Sequence, residues 1–396
     1  SLVIIGAMKG GTGTMMKWLN EHPQLRSGMG EGNKNEVHFF PRDDGSSGGR
    51  HGCTWTHYID HFALSNADLH RSITTASTTS RDPHSRVPLT FDKSPDYMRS
   101  HAAMKEIRAM LPTAKLLALL REPVRRTLSA FNHNCKHNRY GVRRPGAWTI
   151  RVRKPGLQPG SDEVVVDAVV QLEWMAREAT KSNILKCKGD GSECDALSEE
   201  QARDHFQVLP YPCHASHFDS YYSGAVTALL ATGNKDKTRL HEAAQSEISF
   251  GYYDEQLRDI YSLFGDNINP QSARNSSSSS AAMRARPLEI YFQEDMVKDT
   301  ASIVSQVLFW LHLPPLPPKA LQALSSSQEG LAGAPGRQAS RDLASDVRRL
   351  YPTLHQALQR LYKSHNVGLE ALLDKQYGPG VKALPSSWSY PLTGPE

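Results

Sequence analysis

The chain begins with an apolar strand pattern that runs directly into a glycine-rich turn and then into a helix pattern. Residues 2–6 read LVIIG, residues 7–14 read AMKGGTGT, and apolar residues then recur at helical spacing as far as Glu21. Such a turn directs several backbone N–H groups and the positive end of the helix dipole at one point, which suits a phosphate group. The opening therefore predicts a strand, a phosphate-binding loop and a helix, with a flexible turn that binds nothing as the alternative.

The rest of the chain repeats the alternation of strand and helix patterns. The run AKLLALL is continuously apolar, which is typical of a parallel strand buried on both faces. Repeated strand, helix, strand units predict an α/β fold, a P-loop-like open parallel β-sheet flanked by helices on both faces. Further strands are predicted at residues 90–92, 114–120 and 287–292, and helices at residues 101–111, 122–134 and 300–311.

The composition is that of a soluble globular protein, with 39% hydrophobic and 22% charged residues in a chain of 396. The formal net charge of +5 suits an anionic ligand and does not by itself indicate nucleic acid. No apolar run reaches the roughly 18 residues of a membrane span. Because the first residues already read as a strand, we expect the N-terminus to be trimmed, which leaves room for an upstream anchor or targeting segment.

The domain organisation is predicted from where the regular patterns are interrupted. No interruption separates two self-sufficient hydrophobic patterns, and no internal repeat is visible, so we expect one domain with insertions. The longest interruption is rich in basic residues, and a second interruption is rich in serine. The predicted parts are a domain at 1–376, a basic insertion near 136–215, a low-complexity loop near 272–286 and a disordered tail at 377–396.

The five cysteines are scattered, without a CxxC pair or histidines at zinc spacing. Cys187 and Cys194 flank a turn-rich stretch and form the best-placed local pair, with free or differently paired thiols as the alternative. Asn275 begins a formal glycosylation sequon, a triplet that also arises by chance. The cysteine pattern therefore predicts no metal site and leaves one or two disulfides open.

The position of the lysine in the opening loop decides which phosphate compound it suits. The ATP-binding loop reads G-x-x-x-x-G-K-[ST], with lysine directly after the last glycine, whereas here that lysine is missing and Lys9 comes earlier. The stretch IIGAMKGGTGTM instead resembles the phosphosulfate-binding loop of sulfotransferases, above all the carbohydrate branch that modifies heparan sulfate. The resemblance implies 3′-phosphoadenosine 5′-phosphosulfate as the sulfuryl donor. It also implies donor contacts from Lys9, Gly10, Gly11, Thr12, Gly13 and Thr14.

A second motif matches the part of the family that binds the 3′-phosphate of the donor. In LLALLREPVRRTLSAFNH, Arg121 ends a strand and Ser129 follows on the next helix, as in the family. A guanidinium and a hydroxyl both suit a phosphate, although an arginine at a strand end and a surface serine would look the same. Further on, Gly336 and Arg337 resemble the family's lysine-glycine-arginine loop without its lysine. All four residues are expected at the 3′-phosphate.

Two further motifs carry the chemistry that the resemblance implies. In NKNEVHFF the family's general base corresponds to Glu36, and His38 either orients the acceptor, assists Glu36 or only packs. In FDKSPDYM the family's lysine near the transferring group corresponds to Lys93, where it would neutralise charge on the leaving phosphate. Lys9, Glu36, His38 and Lys93 are therefore the predicted catalytic residues. Acceptor contacts are expected from Lys34, Asn35, Lys93 and Tyr97.

Together the motifs predict an enzyme that transfers a sulfuryl group from 3′-phosphoadenosine 5′-phosphosulfate to a hydroxyl, or else an amine, of an anionic polysaccharide such as a heparan-sulfate-like glycan. No metal and no nucleic acid are expected. The resemblance implies a glycoprotein of the Golgi lumen, held by an upstream type II anchor. A P-loop kinase or nucleotide triphosphatase and a catalytically idle glycan-binding relative remain as alternatives.

Overall fold

The computed structural model of the chain divides into two compact units. One unit combines Ser1–Ala130 with Asp219–Glu396, and the other is Phe131–Phe218. The second unit includes the residues near 136–215 for which a basic insertion is predicted. The described residues are 1–28, 36–41, 43, 55–62, 89–136, 150–153, 164–166, 184–187, 194–197, 207–208, 215–232, 239–265, 283, 286–332 and 335–390.

Strands form where the sequence carries apolar or β-branched runs, and the three longest runs agree with the predicted strands within about one residue. The short second strand has too weak a pattern to be predicted. The strands in chain order are β1 Leu2–Gly6, β2 Leu25–Ser27, β3 Leu89–Lys93, β4 Lys115–Leu120, β5 Ile150–Arg153, β6 Val164–Val166, β7 Ile184–Cys187, β8 Cys194–Leu197, β9 Gln207–Val208 and β10 Leu288–Phe292.

Helices follow the strands of the larger unit, as the alternating pattern predicts. Proline begins several of them, because its missing N–H group costs nothing in the first turn. The helices in chain order are α1 Thr12–Asn20, α2 Trp55–Asp60, α3 His101–Met110, α4 Pro123–Lys136, α5 Ala215–Thr232, α6 Arg239–Ser249, α7 Tyr253–Phe264, α8 Gln293–Lys298, α9 Thr300–Trp310, α10 Pro318–Ala332, α11 Pro335–Leu350 and α12 Pro352–Tyr377.

The larger unit is built on a five-stranded sheet in the order β10-β4-β1-β3-β2, and every described pairing in it is parallel. Alternate residues of each strand pack on opposite faces, which is why the strands read as continuous apolar runs. Val3 and Ile5 join a core with α3, α7 and α12. Leu2 and Ile4 join a second core with α1 and α9. The predicted open parallel sheet flanked by helices is confirmed.

The smaller unit contains antiparallel strands. A three-stranded sheet has the order β6-β5-β9, and β7 pairs with β8 as a separate two-stranded ribbon. Cys187 and Cys194 are directly opposite each other in that ribbon. The described residues include no disulfide bond, so the pairing of these two cysteines stays a prediction.

The C-terminal tail differs from the prediction. Residues 378–390 are described, and Trp388 is only 2% exposed. Its ring lies 5.3 Å from that of Phe292, and its backbone oxygen accepts a hydrogen bond of 3.0 Å from Asn366. Proline, glycine and serine dominate the stretch and suggest disorder, but two buried aromatic rings, those of Trp388 and Tyr390, hold it against the rest of the unit. Residues 391–396 and the low-complexity loop at 272–282 lie outside the described residues.

Within the described part of the chain, none of the helices combines the length and the apolar character that a membrane crossing requires.

The loop after β1 is held against β4 at very close range. Ala7 N donates to Leu119 O at 2.8 Å, and Gly10 N donates to Ala7 O at 2.8 Å. A Cβ atom on Gly10 would lie only 2.0 Å from Leu119 O. Since backbone cannot move aside as a flexible side chain can, this position requires glycine.

We predict that Gly10→Ala lowers the free energy of unfolding by about 1–3 kcal/mol, because the added methyl overpacks the contact with β4. Gly13→Ala is the matched control, since no described atom lies within 4 Å of where its Cβ would be. The control should be neutral or stabilising by up to about 1 kcal/mol, from helix propensity. Urea denaturation of both variants measures the difference, and equal stabilities would contradict the close approach.

Candidate active site

Three chain segments meet at the carboxyl edge of the sheet, because β1 lies between β3 and β4 in parallel register. Ser94 N, just after β3, donates to Ile4 O at 3.1 Å, and Ala7 N reaches Leu119 O of β4. Lys9, Lys93 and Arg121 therefore follow three neighbouring strands at one edge. Open α/β sheets bind their ligands at this edge.

The loop after β1 has the geometry of an anion-binding turn. Gly11 immediately precedes α1 with a φ of 102°, and Lys9 has a φ of 69°, which is uncommon for a non-glycine residue. The first turn of α1 carries no acidic side chain. The first amides of a helix have no partner within the helix, so those of Thr12 and Gly13 are available to a ligand. The open space beside Gly13 leaves room for one.

Arg121 follows β4 directly and lies half-buried next to this loop. Its Nη1 atom lies 3.5 Å from the backbone oxygen of Lys9. Burial lowers the pKa of the guanidinium below its usual value, although nearby carboxylates oppose that effect. The Nε atom of Arg121 is buried without a hydrogen-bond partner among the described residues. Such an unsatisfied donor suits an anionic ligand. Ser129 lies half-buried in the second turn of α4.

Glu36, His38 and Lys93 are joined in one hydrogen-bonded chain. Lys93 Nζ donates to Glu36 Oε1 at 2.8 Å, and His38 Nε2 contacts Glu36 Oε2 at 2.8 Å. On its other side His38 Nδ1 lies 3.0 Å from Asp96 Oδ1. Lys93 is 6% exposed and Glu36 is 36% exposed. The Glu36 carboxylate is therefore the most exposed group of the three and the one that solvent or a substrate can best reach.

The charged forms of Glu36, His38 and Lys93 stabilise one another. Burial alone would raise the pKa of Glu36, but hydrogen bonds from His38 and Lys93 outweigh burial and hold the pKa below its usual value. Burial would likewise lower the pKa of His38, but Asp96 and Glu36 raise it to about 9. At neutral pH Glu36 is thus a carboxylate and His38 an imidazolium. The arrangement offers a fixed, ionised base between two cations.

The structure brings together most of the predicted residues and separates a few. Glu36, His38 and Lys93 form one group, and Lys9 and Arg121 form another at the same sheet edge. Tyr97 differs from its predicted place at the acceptor, because it is 1% exposed. Its hydroxyl instead contacts Asp92 and the backbone of residues 39 and 40.

Two pairs of predicted residues lie wholly or partly outside what the structure describes. Lys34 and Asn35 lie outside the described residues. Gly336 and Arg337 were expected in a loop, but α11 begins at Pro335, so they belong to its first turn. Proline at the first helical position favours that helix start. Their side chains lie outside what the structure describes.

Asp92 and Asp96 are the members of this region that the sequence did not predict. Both lie within the motif FDKSPDYM, Asp92 directly before Lys93 and Asp96 directly after Pro95. A signal was available for Asp92, since a carboxylate at the end of a buried strand must be hydrogen-bonded. Among the described residues, no cluster of His, Cys, Asp and Glu side chains is arranged to hold a metal ion.

Residues 1–154 match the family model described as the sulfotransferase family. Two relatives from Mus musculus are heparan sulfate glucosamine 3-O-sulfotransferases, 3B1 at 24% and 3A1 at 26% identity over 285 residues. Each alignment covers 69% of this chain but only 63% of the relative. The mouse bifunctional heparan sulfate N-deacetylase/N-sulfotransferase 1 is 29% identical over 138 residues, covering 35% of this chain and 13% of that protein. The resemblance to sulfotransferases inferred from the motifs is confirmed.

The raised pKa of His38 makes a prediction about stability and pH. The folded protein holds the proton with a pKa of about 9, whereas an unfolded histidine has a pKa of about 6.5. His38 should therefore contribute stability that is complete below about pH 6.5 and is lost as the pH rises through about 9. For a partly exposed ring the contribution should be on the order of 1 kcal/mol.

Urea denaturation of the wild type and His38→Gln at pH 6, 7.5 and 9.5 measures this contribution. The stability difference should shrink with rising pH. A difference that is constant across this range would show that His38 is not an imidazolium in the folded state.

Proposed function

We propose that this chain is a sulfotransferase that moves a sulfuryl group from 3′-phosphoadenosine 5′-phosphosulfate to a hydroxyl group of an anionic polysaccharide. The observation that carries the proposal is the carboxylate of Glu36, bonded to Lys93 at 2.8 Å on the same sheet edge as the phosphate-type loop. A base, a cation and a phosphate site adjacent to one another are what such a transfer requires.

The donor is proposed to bind across the carboxyl edge of the sheet. The loop of residues 9–14 would hold the 5′-phosphosulfate with its amides and with the ammonium group of Lys9. Arg121 and Ser129 would hold the 3′-phosphate, and the unpartnered Nε of Arg121 supports that role. Gly336 and Arg337 are proposed as further contacts of the 3′-phosphate.

The proposed transfer is a direct displacement at sulfur. The acceptor oxygen forms a bond to sulfur while the bond from sulfur to the phosphate oxygen breaks, and the departing nucleotide takes that electron pair. The acceptor proton passes to Glu36, which typically contributes 10²–10⁴-fold to such a reaction. Lys9 and Lys93 would neutralise the charge that develops on the leaving phosphate.

His38 is proposed to orient Glu36 rather than to take the proton itself. Its pKa of about 9 keeps the ring protonated, so it donates to Glu36 and cannot accept a proton. Hydrogen bonds from two cations, His38 and Lys93, make Glu36 a weak base before the reaction starts. Proton transfer is therefore expected late, once bond formation to sulfur has made the acceptor hydroxyl acidic.

The acceptor class is inferred from the relatives, which act on heparan sulfate according to their names. A hydroxyl acceptor is proposed over an amine because a carboxylate base is in place to remove a hydroxyl proton. Lys34 and Asn35 are proposed acceptor contacts. The Golgi lumen is the proposed compartment, reached through an upstream anchor.

Donor recognition is tested through the 3′-phosphate. We expect the wild type to bind 3′-phosphoadenosine 5′-phosphate more tightly than ADP, and Arg121→Gln to lose about 10- to 100-fold of that affinity because a charged hydrogen bond disappears. ADP affinity should change little. Titration calorimetry measures both ligands, with magnesium added to the ADP arm.

Arg125→Gln is the matched control, since Arg125 lies exposed on α4, four residues further along the chain. A wild type that prefers ADP with magnesium would indicate a kinase or nucleotide triphosphatase and end the sulfotransferase proposal. Equal losses in the Arg121 and Arg125 variants would remove Arg121 from the 3′-phosphate.

The role of Glu36 is tested by transfer of radiolabelled sulfate to desulfated and native heparan sulfate. Glu36→Gln should lower kcat by about 10²–10⁴-fold, the usual contribution of a general base. Binding of 3′-phosphoadenosine 5′-phosphate should stay within about threefold of the wild type. Glu370→Gln, an exposed carboxyl on α12, serves as the control.

Wild-type rates in Glu36→Gln would show that another group takes the proton. Donor binding by the wild type without transfer to any glycan would favour a catalytically idle glycan-binding protein.

A further inference from the structure

We propose that Asp92 is a positioning residue that holds the segment carrying Glu36 and His38 in register with Lys93, through the hydroxyl groups of Ser94 and Tyr97. The catalytic consequence rests on the proposed function. The role of Asp92 in holding this segment in place does not depend on the proposed function. We call Asp92, Ser94 and Tyr97 the hydroxyl relay.

The first half of the hydroxyl relay is a carboxylate with two hydroxyl partners. Asp92 is fully buried in β3, where it is the register partner of Val3 in β1. Ser94 Oγ donates to Asp92 Oδ1 at 2.8 Å, and the Tyr97 hydroxyl donates to Oδ2 at 3.3 Å. Tyr58 brings a further hydroxyl to the same carboxylate. Asp92 is thus anchored in the central strands of the sheet.

The second half of the hydroxyl relay binds the backbone of the segment that carries Glu36 and His38. His38 N donates to Ser94 Oγ at 2.9 Å. Phe39 N donates to the Tyr97 hydroxyl at 2.7 Å, and Phe40 N donates to the same oxygen at 3.2 Å. Three consecutive amides are therefore held by two hydroxyl oxygens. Residues 36–39 have no regular secondary structure, so these bonds replace the ladder that a strand would have.

The direction of every bond in the hydroxyl relay follows from the carboxylate. An ionised carboxyl group only accepts hydrogen bonds, so both hydroxyl groups must point their protons at Asp92. Their lone pairs then face the amides. The Tyr97 oxygen, with one proton given and two amides received, has no capacity left. The relay works only if Asp92 presents acceptors on both sides.

Asparagine has the shape of aspartate but not its polarity. One side of its amide accepts hydrogen bonds and the other donates them. If the amide nitrogen faces Tyr97, it meets an oxygen that already accepts two amides. If it faces Ser94, the serine oxygen receives a second donor and the serine proton loses its carboxylate acceptor. Either orientation weakens one arm of the hydroxyl relay while hardly changing the packing.

The relay matters because Glu36 and Lys93 come from different segments, 57 residues apart in the chain. Lys93 is the neighbour of both Asp92 and Ser94, so one short piece of β3 supplies the cation and the support for the base. His38 has a left-handed φ of 50°, an uncommon conformation that outside contacts must maintain. The competing explanation is that packing of the Phe39 and Phe40 rings against Tyr58, with ring centroids 4.9 and 5.3 Å apart, suffices to hold the segment.

Hydrogen–deuterium exchange at residue resolution separates the two explanations without any enzyme assay. Burial raises the pKa of Asp92 to about 7, so its carboxyl group is mostly ionised at pH 8. At that pH, Asp92→Asn should speed exchange of the amides of residues 38–40 by about ten-fold or more. Tyr97→Phe should act on residues 39 and 40, and Ser94→Ala on residue 38. The exchange rates of the β4 amides should not change in these variants. The control Asp299→Asn, which removes a capping carboxylate on α9, should leave the exchange rates of residues 38–40 unchanged.

Unchanged exchange of residues 38–40 in Asp92→Asn would overturn the proposal in favour of aromatic packing. If Asp92→Asn does not fold, exchange of the same amides in Tyr97→Phe and Ser94→Ala decides between the two explanations in the same way. Uniform acceleration across the sheet would also overturn it, because Asp92 would then serve general stability only.

Enzyme kinetics then test the catalytic consequence. Asp92→Asn should lower kcat for sulfate transfer by about 10- to 100-fold through misplacement of the base, with unchanged affinity for 3′-phosphoadenosine 5′-phosphate. Faster exchange with unchanged kcat would refute Asp92 as a positioning residue for catalysis. A wild type without transfer activity would count against the proposed function, and the exchange result would still decide whether Asp92 holds the segment.

Discussion

The site depends on the parallel pairing of β1 between β3 and β4. This pairing places Ile4 beside Lys93 and Gly6 beside Ala118, so the chain leaving β1 emerges between the ends of both neighbours. Gly10 can then approach Leu119 closely, because it has no side chain to prevent it. A parallel sheet aligns its carboxyl ends by construction, so groups from distant parts of the chain share one edge.

The second constraint is electrostatic. Glu36 is held between His38 and Lys93, and this keeps it ionised and fixed at the cost of basicity. The compromise is reasonable for the role that we propose for Glu36, which would hold an acceptor in one orientation before accepting its proton. Asp96 extends the chain on the far side of His38, so the imidazolium is balanced by a carboxylate on each nitrogen. A neutral ring would lose one of these contacts.

Prediction from the sequence succeeded where the signal is local. Residues 2–6 and 114–120 read as buried strands, and both strands were found there within one residue. Prediction failed where a distant partner decides the outcome. The stretch around Trp388 reads as disordered until its ring is seen against Phe292, and Tyr97 reads as an acceptor contact until its hydroxyl is seen bonded to Asp92.

The sequence by itself determined the alternation of strands and helices, the phosphate-type loop, and which residue types follow each strand, because these depend on neighbours within a few positions. Only the tertiary structure decided that Glu36 meets Lys93, that Asp92 is bonded to Ser94 and Tyr97, and that residues up to 390 belong to the larger unit. Contacts across 57 residues are set by the pairing and packing of whole elements, which no local pattern encodes.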